Sequence, residues 1–226
     1  MNICRSEPVM SPHSALSLEP FPEAAESLEE VCAPMPRDRA AAFLFALSRR
    51  SKVDERPVLI AASRAWLGEN GRPYGPGLPG QALILTPVST AAEGLWVLEQ
   101  ALRSGAVALA MGAVDGVSLA QSRRLEFAAK AGGATGVMLP RTPEGLSAAR
   151  RRWRVVTSLS AADIDDPRAP GRARLMAELT RGRGERTGVW MMEQDDETHR
   201  LRLADRLAGF RPPPIAGTGA ATGLAA

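Results

Sequence analysis

The chain has 226 residues, enough for one globular domain with appended segments, and its net charge is only +3. No apolar run reaches the roughly 18 residues needed to cross a bilayer, and the polar, acidic N-terminus lacks the pattern of a secretory signal. We therefore expect a cytoplasmic protein that does not associate with membranes. Two cysteines, Cys4 and Cys32, are too few for a disulfide framework or a zinc site.

The first part of the chain alternates between strand and helix patterns. Residues 1–27 are rich in Ser, Pro and Glu without a sustained period, which predicts a loose N-terminal arm. A short first strand is expected at 28–32, and continuous apolar runs predict strands at 57–62, 82–86, 106–111 and 135–139, the run at 82–86 ending at Pro87. Helices are predicted at 38–50, 90–102 and 118–131, and the Gly- and Pro-rich stretch 66–80 is expected to be a loop.

Helix boundaries carry their own signals. Asp38 is expected to cap the first helix, Thr90 and Glu93 have the spacing of a capping box, and Gly105 and Gly133 stand where helices end. Apolar runs without alternation are typical of parallel strands with helices packed on both faces. This pattern predicts a three-layer α/β core.

After Pro140 the pattern changes. A basic helical turn is predicted at 147–152, followed by strands at 153–159, 172–180, 188–194 and 199–204. These short alternating segments predict an antiparallel β-meander attached to the mostly parallel sheet. We expect a disordered arm at 1–27, a core domain at 28–160, a meander extension at 161–209 and a flexible tail at 210–226.

The sequence lacks the ligands of a nucleotide hydrolase. In such a fold the loop between the first strand and helix would hold phosphate with glycines, a lysine and a hydroxyl. Here that loop, residues 33–38, reads APMPRD, and its two prolines remove backbone donors. The strand at 106–111 is followed by Gly112 rather than a metal-ligating acid. We expect no enzymatic activity, no cofactor and no metal.

Other catalytic options find little support. A Cys32–His199 nucleophile pair has no third group to orient it, and His13 lies in the expected arm. An acidic cluster at the end of the 188–194 strand could ligate a divalent cation, but a solvated hairpin turn is favoured for Glu193, Asp195, Asp196 and Glu197. Three tryptophans, Trp96, Trp153 and Trp190, are interpreted as core residues.

Arginine clusters are the candidate binding residues. Clustered arginines with a nearby aromatic residue suit a nucleic-acid backbone or an acidic protein surface, although solvated faces are the alternative. The first cluster lies on the 118–131 helix, the second flanks Trp153, and the third lies in a predicted hairpin turn. In that order they comprise Arg123 and Arg124; Arg150, Arg151, Arg152 and Arg154; and Arg181, Arg183 and Arg186.

Several collinear stretches resemble the ImuA family, the RecA-like accessory proteins of the bacterial mutasome. They are YGPGL at 74–78, LWVLEQALRSG at 95–105, SRRLEFAAKAGG at 122–133, RWRV at 152–155 and GVWMMEQDDETH at 188–199. The strongest match is the second. The resemblance spans about residues 29–207 and implies a RecA-like fold.

The same resemblance implies a function and a set of partners. ImuA-like proteins act in SOS-induced, error-prone translesion synthesis with ImuB, an inactive Y-family polymerase homologue. The implied partners here are therefore an ImuB-like protein, RecA and an error-prone C-family polymerase, with DNA contacted weakly or indirectly. The resemblance supplies no catalytic residues.

A second family offers an alternative. SulA, the SOS inhibitor of the division protein FtsZ, is also RecA-like without a phosphate loop, and its core resembles residues 95–140 here. It is shorter and lacks an appended meander. Residues 153–207 therefore favour the translesion-synthesis adaptor over an FtsZ-binding inhibitor.

Overall fold

A computed structural model describes residues 16–17, 20–51, 53–75, 78, 82–141, 145–163, 165–166, 168–198 and 200–204. Statements below refer to these residues. His13, His199 and the expected tail at 210–226 lie outside them, so the predictions made for these segments remain predictions.

The described strands form one sheet, and its order explains the apolar runs. The order is β3-β2-β4-β5-β1-β6-β7-β8-β9; the pairs from β3 to β6 are parallel and those from β6 to β9 antiparallel. The predicted class, α/β with a mostly parallel sheet and a C-terminal antiparallel meander, is confirmed. The strands are β1 (Leu28–Cys32), β2 (Val58–Ser63), β3 (Leu83–Val88), β4 (Leu109–Ala113), β5 (Thr135–Met138), β6 (Arg151–Ser158), β7 (Arg174–Gly182), β8 (Gly188–Gln194) and β9 (Leu201–Leu203).

Helices cover both faces of the sheet. They are α1 (Arg39–Ser48), α2 (Arg64–Asn70), α3 (Ala91–Ser104) and α4 (Leu119–Gly132). On one face, α1 buries Phe45 and Ala46 in a core that extends under the meander. On the other face, α3 and α4 bury Leu98 and Leu125 in a second core. None of the described helices is long and apolar enough to cross a membrane.

The predicted start of α3 and the predicted terminal glycines of α3 and α4 are confirmed, while both helices run one or two residues further than predicted. Thr90 accepts a hydrogen bond from the Glu93 N–H, and the Glu93 carboxylate accepts one from the preceding Ser89 N–H. Gly105 and Gly133 end the two helices with φ values of 67° and 57°, in the left-handed region that favours glycine.

Three local predictions were wrong. The expected loop at 66–80 begins inside α2, whose N-cap Ser63 accepts a hydrogen bond from the Trp66 N–H. β3 continues through Pro87, which is tolerated because β3 is an edge strand. The helical turn expected at 147–152 is irregular and leads directly into β6.

The C-terminal end of the expected arm is ordered. Phe21 packs among the rings of Phe45, Trp153 and Trp190, with centroid distances of 5.6–6.2 Å. Arg49 donates hydrogen bonds to the carbonyls of residues 22 and 23. Residues 20–27 therefore belong to the packed domain and not to a loose arm.

A buried ionic cluster joins β1, α1 and β6. Glu29, fully buried in β1, accepts hydrogen bonds from Arg49 at 3.0 and 3.1 Å and from Arg151 at 2.9 Å. The Arg49 guanidinium lies 5.3 Å from the ring centroids of Phe21 and Trp153. Buried charges are stable in a protein when they are paired in this way.

Candidate functional site

The loop between β1 and α1 does not form a phosphate cradle. Pro34 and Pro36 occupy it, and α1 begins without a side-chain cap. The expected cap, Asp38, is instead buried and accepts a hydrogen bond from the Thr157 N–H of β6 at 2.9 Å. The prediction that Asp38 caps α1 was therefore wrong: its carboxylate ties α1 to the meander and puts negative charge beside the start of α1.

A cleft opens beside this loop, at the carboxyl ends of β1 and β5. A groove of about 370 Å³ runs between α1 and α2, past Arg39, Phe43 and Trp66. A smaller pit of about 100 Å³, lined in part by Met35 and Leu139, adjoins it. The two share Arg39 and the half-buried Trp66, so together they form one concave surface.

The outer face of α3 and α4 carries two exposed aromatic side chains. Trp96 is 61% exposed and Phe127 is 69% exposed. The interpretation of Trp96 as a core residue was wrong, whereas Trp153 and Trp190 are buried as predicted. Large exposed aromatic residues are uncommon on surfaces that contact only water and are enriched at protein interfaces.

The arginines predicted on α4 lie on this same face. Arg123 and Arg124 are both exposed. Arg124 also has a structural role, because it donates a hydrogen bond at 2.6 Å to the buried Glu99 of α3, which Arg103 contacts at 2.8 Å. The face therefore combines aromatic side chains with positive charge.

The arginines around Trp153 serve different purposes. Arg151 is buried, with Glu29 on one side and Glu185 on the other. Burial alone would lower the pKa of Arg151, but the hydrogen bond to Glu185 and the charge of Glu29 raise it. Arg151 therefore stabilises the fold and cannot present its charge to a partner.

The remaining arginines of this cluster lie nearer the surface. Arg150 is 3.4 Å from Glu185, and Arg152 contacts Glu30 of β1 at 2.6 Å. Arg154 is half-buried and lies opposite Cys32 in the β1–β6 register. Their role in partner binding stays a prediction.

The third arginine cluster meets the second. Arg181 of β7 is in register with Arg152 of β6, and the Arg183 N–H donates to the Arg150 carbonyl at 3.0 Å. The side chain of Arg181 also donates to the carbonyls of residues 147 and 149. Arg186 is exposed in the turn. The fold thus brings two separate sequence clusters into one basic region, whose partners remain a prediction.

Of the acids expected in a solvated turn, Asp195, Asp196 and Glu197 follow β8 as predicted, whereas Glu193 is buried within β8, so the prediction was wrong for that residue. Asp195 accepts a hydrogen bond from the Thr198 N–H, which lowers the pKa of its carboxyl. Glu193 contacts Arg174 and Arg202, and Asp196 contacts Arg172. Within the described part of the chain, no group of three or more His, Cys, Asp or Glu residues could hold a metal ion.

The fold and these surfaces define an α/β protein with a mixed, mostly parallel sheet and an exposed aromatic, basic helical face. No family model matches the sequence. In an alignment 162 residues long that covers 63% of this chain, the sequence is 32% identical to Protein ImuA from each of two strains of Caulobacter vibrioides. The chain is a homologue of the ImuA proteins, and the family resemblance inferred from the sequence is confirmed.

The coverage of the relatives and the structural similarity define the extent of these resemblances. The chain spans 66% of the length of the ImuA proteins it matches, just under two thirds. The crystal structure of SulA from Pseudomonas aeruginosa is similar with a TM-score of 0.39 and 18% identity, covering 51% of this chain and 98% of that one. Similarity at that level carries no argument about the function of this chain.

Proposed function

We propose that this protein is a non-catalytic, RecA-like adaptor in SOS-induced, error-prone translesion synthesis, acting in the cytoplasm. Its direct partner would be an ImuB-like inactive polymerase homologue, RecA, or both, and a C-family polymerase would join the complex. The observation that carries the proposal is the 32% identity to the ImuA proteins.

The outer face of α3 and α4 supports an adaptor role. It presents Trp96, Phe127 and Arg123 to solvent. Tryptophan and arginine dominate the binding energy of many protein interfaces, because they combine a large contact area with directed polar contacts. We propose this face as the main partner-binding surface.

The β1–α1 loop supports the absence of catalysis. Phosphate binding at a helix start uses free backbone N–H groups and the positive end of the helix dipole. Prolines at 34 and 36 lack that N–H, and the carboxylate of Asp38 lies at the start of α1. A nucleotide phosphate would meet fewer donors and a negative charge there.

Affinity purification of the tagged protein from DNA-damaged host cells, followed by mass spectrometry, tests the proposal. Recovery of an ImuB-like protein or RecA is the expected result. Recovery of FtsZ without either of them would contradict it and favour the division-inhibitor alternative.

A double variant tests the proposed surface. Trp96→Ala combined with Phe127→Ala should reduce partner recovery about tenfold or more while leaving the fold intact, because both side chains are exposed. The matched control is Leu146→Ala with Leu159→Ala, which removes two apolar side chains that are 76% and 86% exposed elsewhere. Equal recovery by both variants would show that the α3–α4 face is not the binding surface.

Charge reversal is best made at one arginine. Arg123→Glu should weaken partner binding without affecting the fold. Arg124→Glu would also place a second acid beside the buried Glu99 and so would destabilise the α3–α4 pair. Normal partner binding by Arg123→Glu would show that Arg123 is not part of the partner-binding surface.

A further inference from the structure

The cleft at the carboxyl ends of β1 and β5 lies on the sheet face opposite the α3–α4 helices. Its groove of about 370 Å³ lies between α1 and α2, and its pit of about 100 Å³ lies at the strand ends. Trp66 lines both the groove and the pit, and the centroid of its ring lies 6.2 Å from that of Phe43. The cleft is therefore a continuous concave surface with an aromatic wall.

The pit is suited to an apolar group. Most of its lining residues are apolar, among them Met35, Trp66 and Leu139, and two arginines, Arg39 and Arg141, complete the lining. An apolar cavity of about 150 Å³ can hold benzene, so a pit of about 100 Å³ has room for one aliphatic side chain. Met35 is 50% exposed, and an occupant would cover it.

The groove and its rim carry positive charge. Among the described residues that line the cleft, four are arginines and one, Glu69, is acidic. Glu69 is already engaged, at 2.6 Å from Arg141 and 3.5 Å from Arg39. The remaining two arginines of the cleft, Arg37 and Arg72, are both exposed. Charge complementarity therefore favours an anionic occupant.

A phosphate-bearing occupant fits this cleft less well than a carboxylate-bearing one. The nearest loop offers prolines where a phosphate would take backbone N–H groups. Arg37 and Arg72 line the groove and not the pit, so an extended segment would place its carboxylates against them while one apolar side chain enters the pit.

We infer that this cleft binds a short acidic segment of a partner protein, with one aliphatic side chain in the pit and carboxylates against Arg37 and Arg72. The inference deepens the proposed adaptor function, on which it rests only for the occupant being a protein. It concerns a second surface, separate from α3 and α4.

Fluorescence anisotropy with the purified full chain tests it. The probe is a fluorescein-labelled dodecapeptide made of three Asp-Asp-Leu-Asp repeats, compared with versions in which Ala replaces Leu or Lys replaces Asp. The original peptide should bind, and each altered version should bind about tenfold more weakly because it lacks the aliphatic side chain or the charge.

Variants locate the site. Arg37→Glu with Arg72→Glu should weaken peptide binding about tenfold, whereas the matched control Arg168→Glu with Arg200→Glu, which reverses two exposed charges elsewhere, should not. Unchanged circular dichroism establishes that each variant is folded. Equal effects of the two double variants would overturn the inference.

Two ligands serve as competitors. A twelve-residue oligothymidylate and ATP should displace the peptide poorly. Preferential binding of either, or no peptide binding at all, would overturn the inference. Such a failure is distinguishable from failure of the proposed function, which depends on co-purification and on Trp96 and Phe127.

Discussion

Trp153 donates its indole N–H to the carboxylate of Glu29, with 2.7 Å between Nε1 and Oε2. The bond crosses from β6, the strand that separates the parallel and antiparallel halves of the sheet, to the neighbouring β1. Because Glu29 also binds Arg49 and Arg151, one buried carboxylate holds together an aromatic ring and two cations. The junction of the two halves is therefore ionic as well as apolar.

Glu29→Gln should lower the free energy of unfolding by about 3–5 kcal/mol, because Arg49 and Arg151 would keep buried positive charge without this anion. Urea denaturation followed by circular dichroism measures the change. Glu69→Gln is the control: Glu69 lies 2.6 Å from Arg141, but both side chains are 47% exposed. It should cost less than about 1 kcal/mol, and similar losses in both variants would refute the role of burial.

The stability contributed by Glu185 should depend on pH. A hydrogen bond from Arg151 lowers the pKa of Glu185 below its ordinary value of 4.5. The contribution is therefore fully present above that value and is lost as the pH falls through the lower pKa of the folded protein. Glu185→Gln should be about 1–3 kcal/mol less stable than the natural protein at pH 7, and the difference should shrink below pH 4.5. A difference that stays constant down to pH 3 in urea titrations would contradict this.

Gly132→Ala should destabilise the α3–α4 pair. A Cβ atom at Gly132 would lie 1.8 Å from the Leu102 carbonyl oxygen, so the two helices would have to separate. We expect a loss of about 1–3 kcal/mol, seen in calorimetry as a fall in Tm of roughly 2–12 °C for a chain of this size.

Gly68→Ala is the matched control for Gly132→Ala. Gly68 lies inside α2, and a Cβ atom there has nothing within 4 Å. This variant should be neutral or more stable by about 0.4–1 kcal/mol, because alanine favours the helix. If Gly68→Ala also lost stability, the contact between α3 and α4 would not explain the effect of Gly132→Ala.

Phe21→Ala should destabilise the domain by about 1–3 kcal/mol, because the ring packs between Phe45, Trp153 and Trp190. Near-ultraviolet circular dichroism should change too, since two tryptophans lose a neighbour. Phe127→Ala removes the same atoms from a side chain that is 69% exposed and should leave both readouts almost unchanged. A stable Phe21→Ala variant would mean that residues 20–27 contribute little to the fold.

The strands were predicted well where apolar runs and turn residues agree. β8 has the predicted bounds because polar turns on either side mark both of its ends. β1 also has its predicted bounds, although two glutamates interrupt its apolar residues. α2 was missed because a Gly- and Pro-rich stretch suggests a loop. The helix signal that was overlooked is its N-cap, Ser63, which lies just before that stretch. The exposure of Trp96 could have been found from helical spacing, since 94, 98, 101 and 102 face the core and 96 does not.

The buried ionic cluster could not be predicted from the sequence. Glu29, Arg49 and Arg151 are far apart along the chain, and no local pattern links them. Alternation along β6 would have assigned Arg151 to the same face of the sheet as Trp153. That argument requires the residue at which β6 begins, and the predicted strand began at 153 rather than at Arg151. Likewise, the hydrogen bond between the Arg183 N–H and the Arg150 carbonyl depends on the register of the sheet, which the amino-acid composition does not determine.

The position of β1 has a consequence for synthesis. Leu28 pairs with Gly136 and Cys32 pairs with Arg154, so both neighbours of β1 lie more than 100 residues further along the chain. At about 5–20 residues per second, the ribosome needs roughly 5–25 s to produce them. During that interval β1 lacks both of its strand neighbours, and the charges of Glu29 and Glu30 would oppose aggregation before the two residues become ion-pair partners inside the sheet.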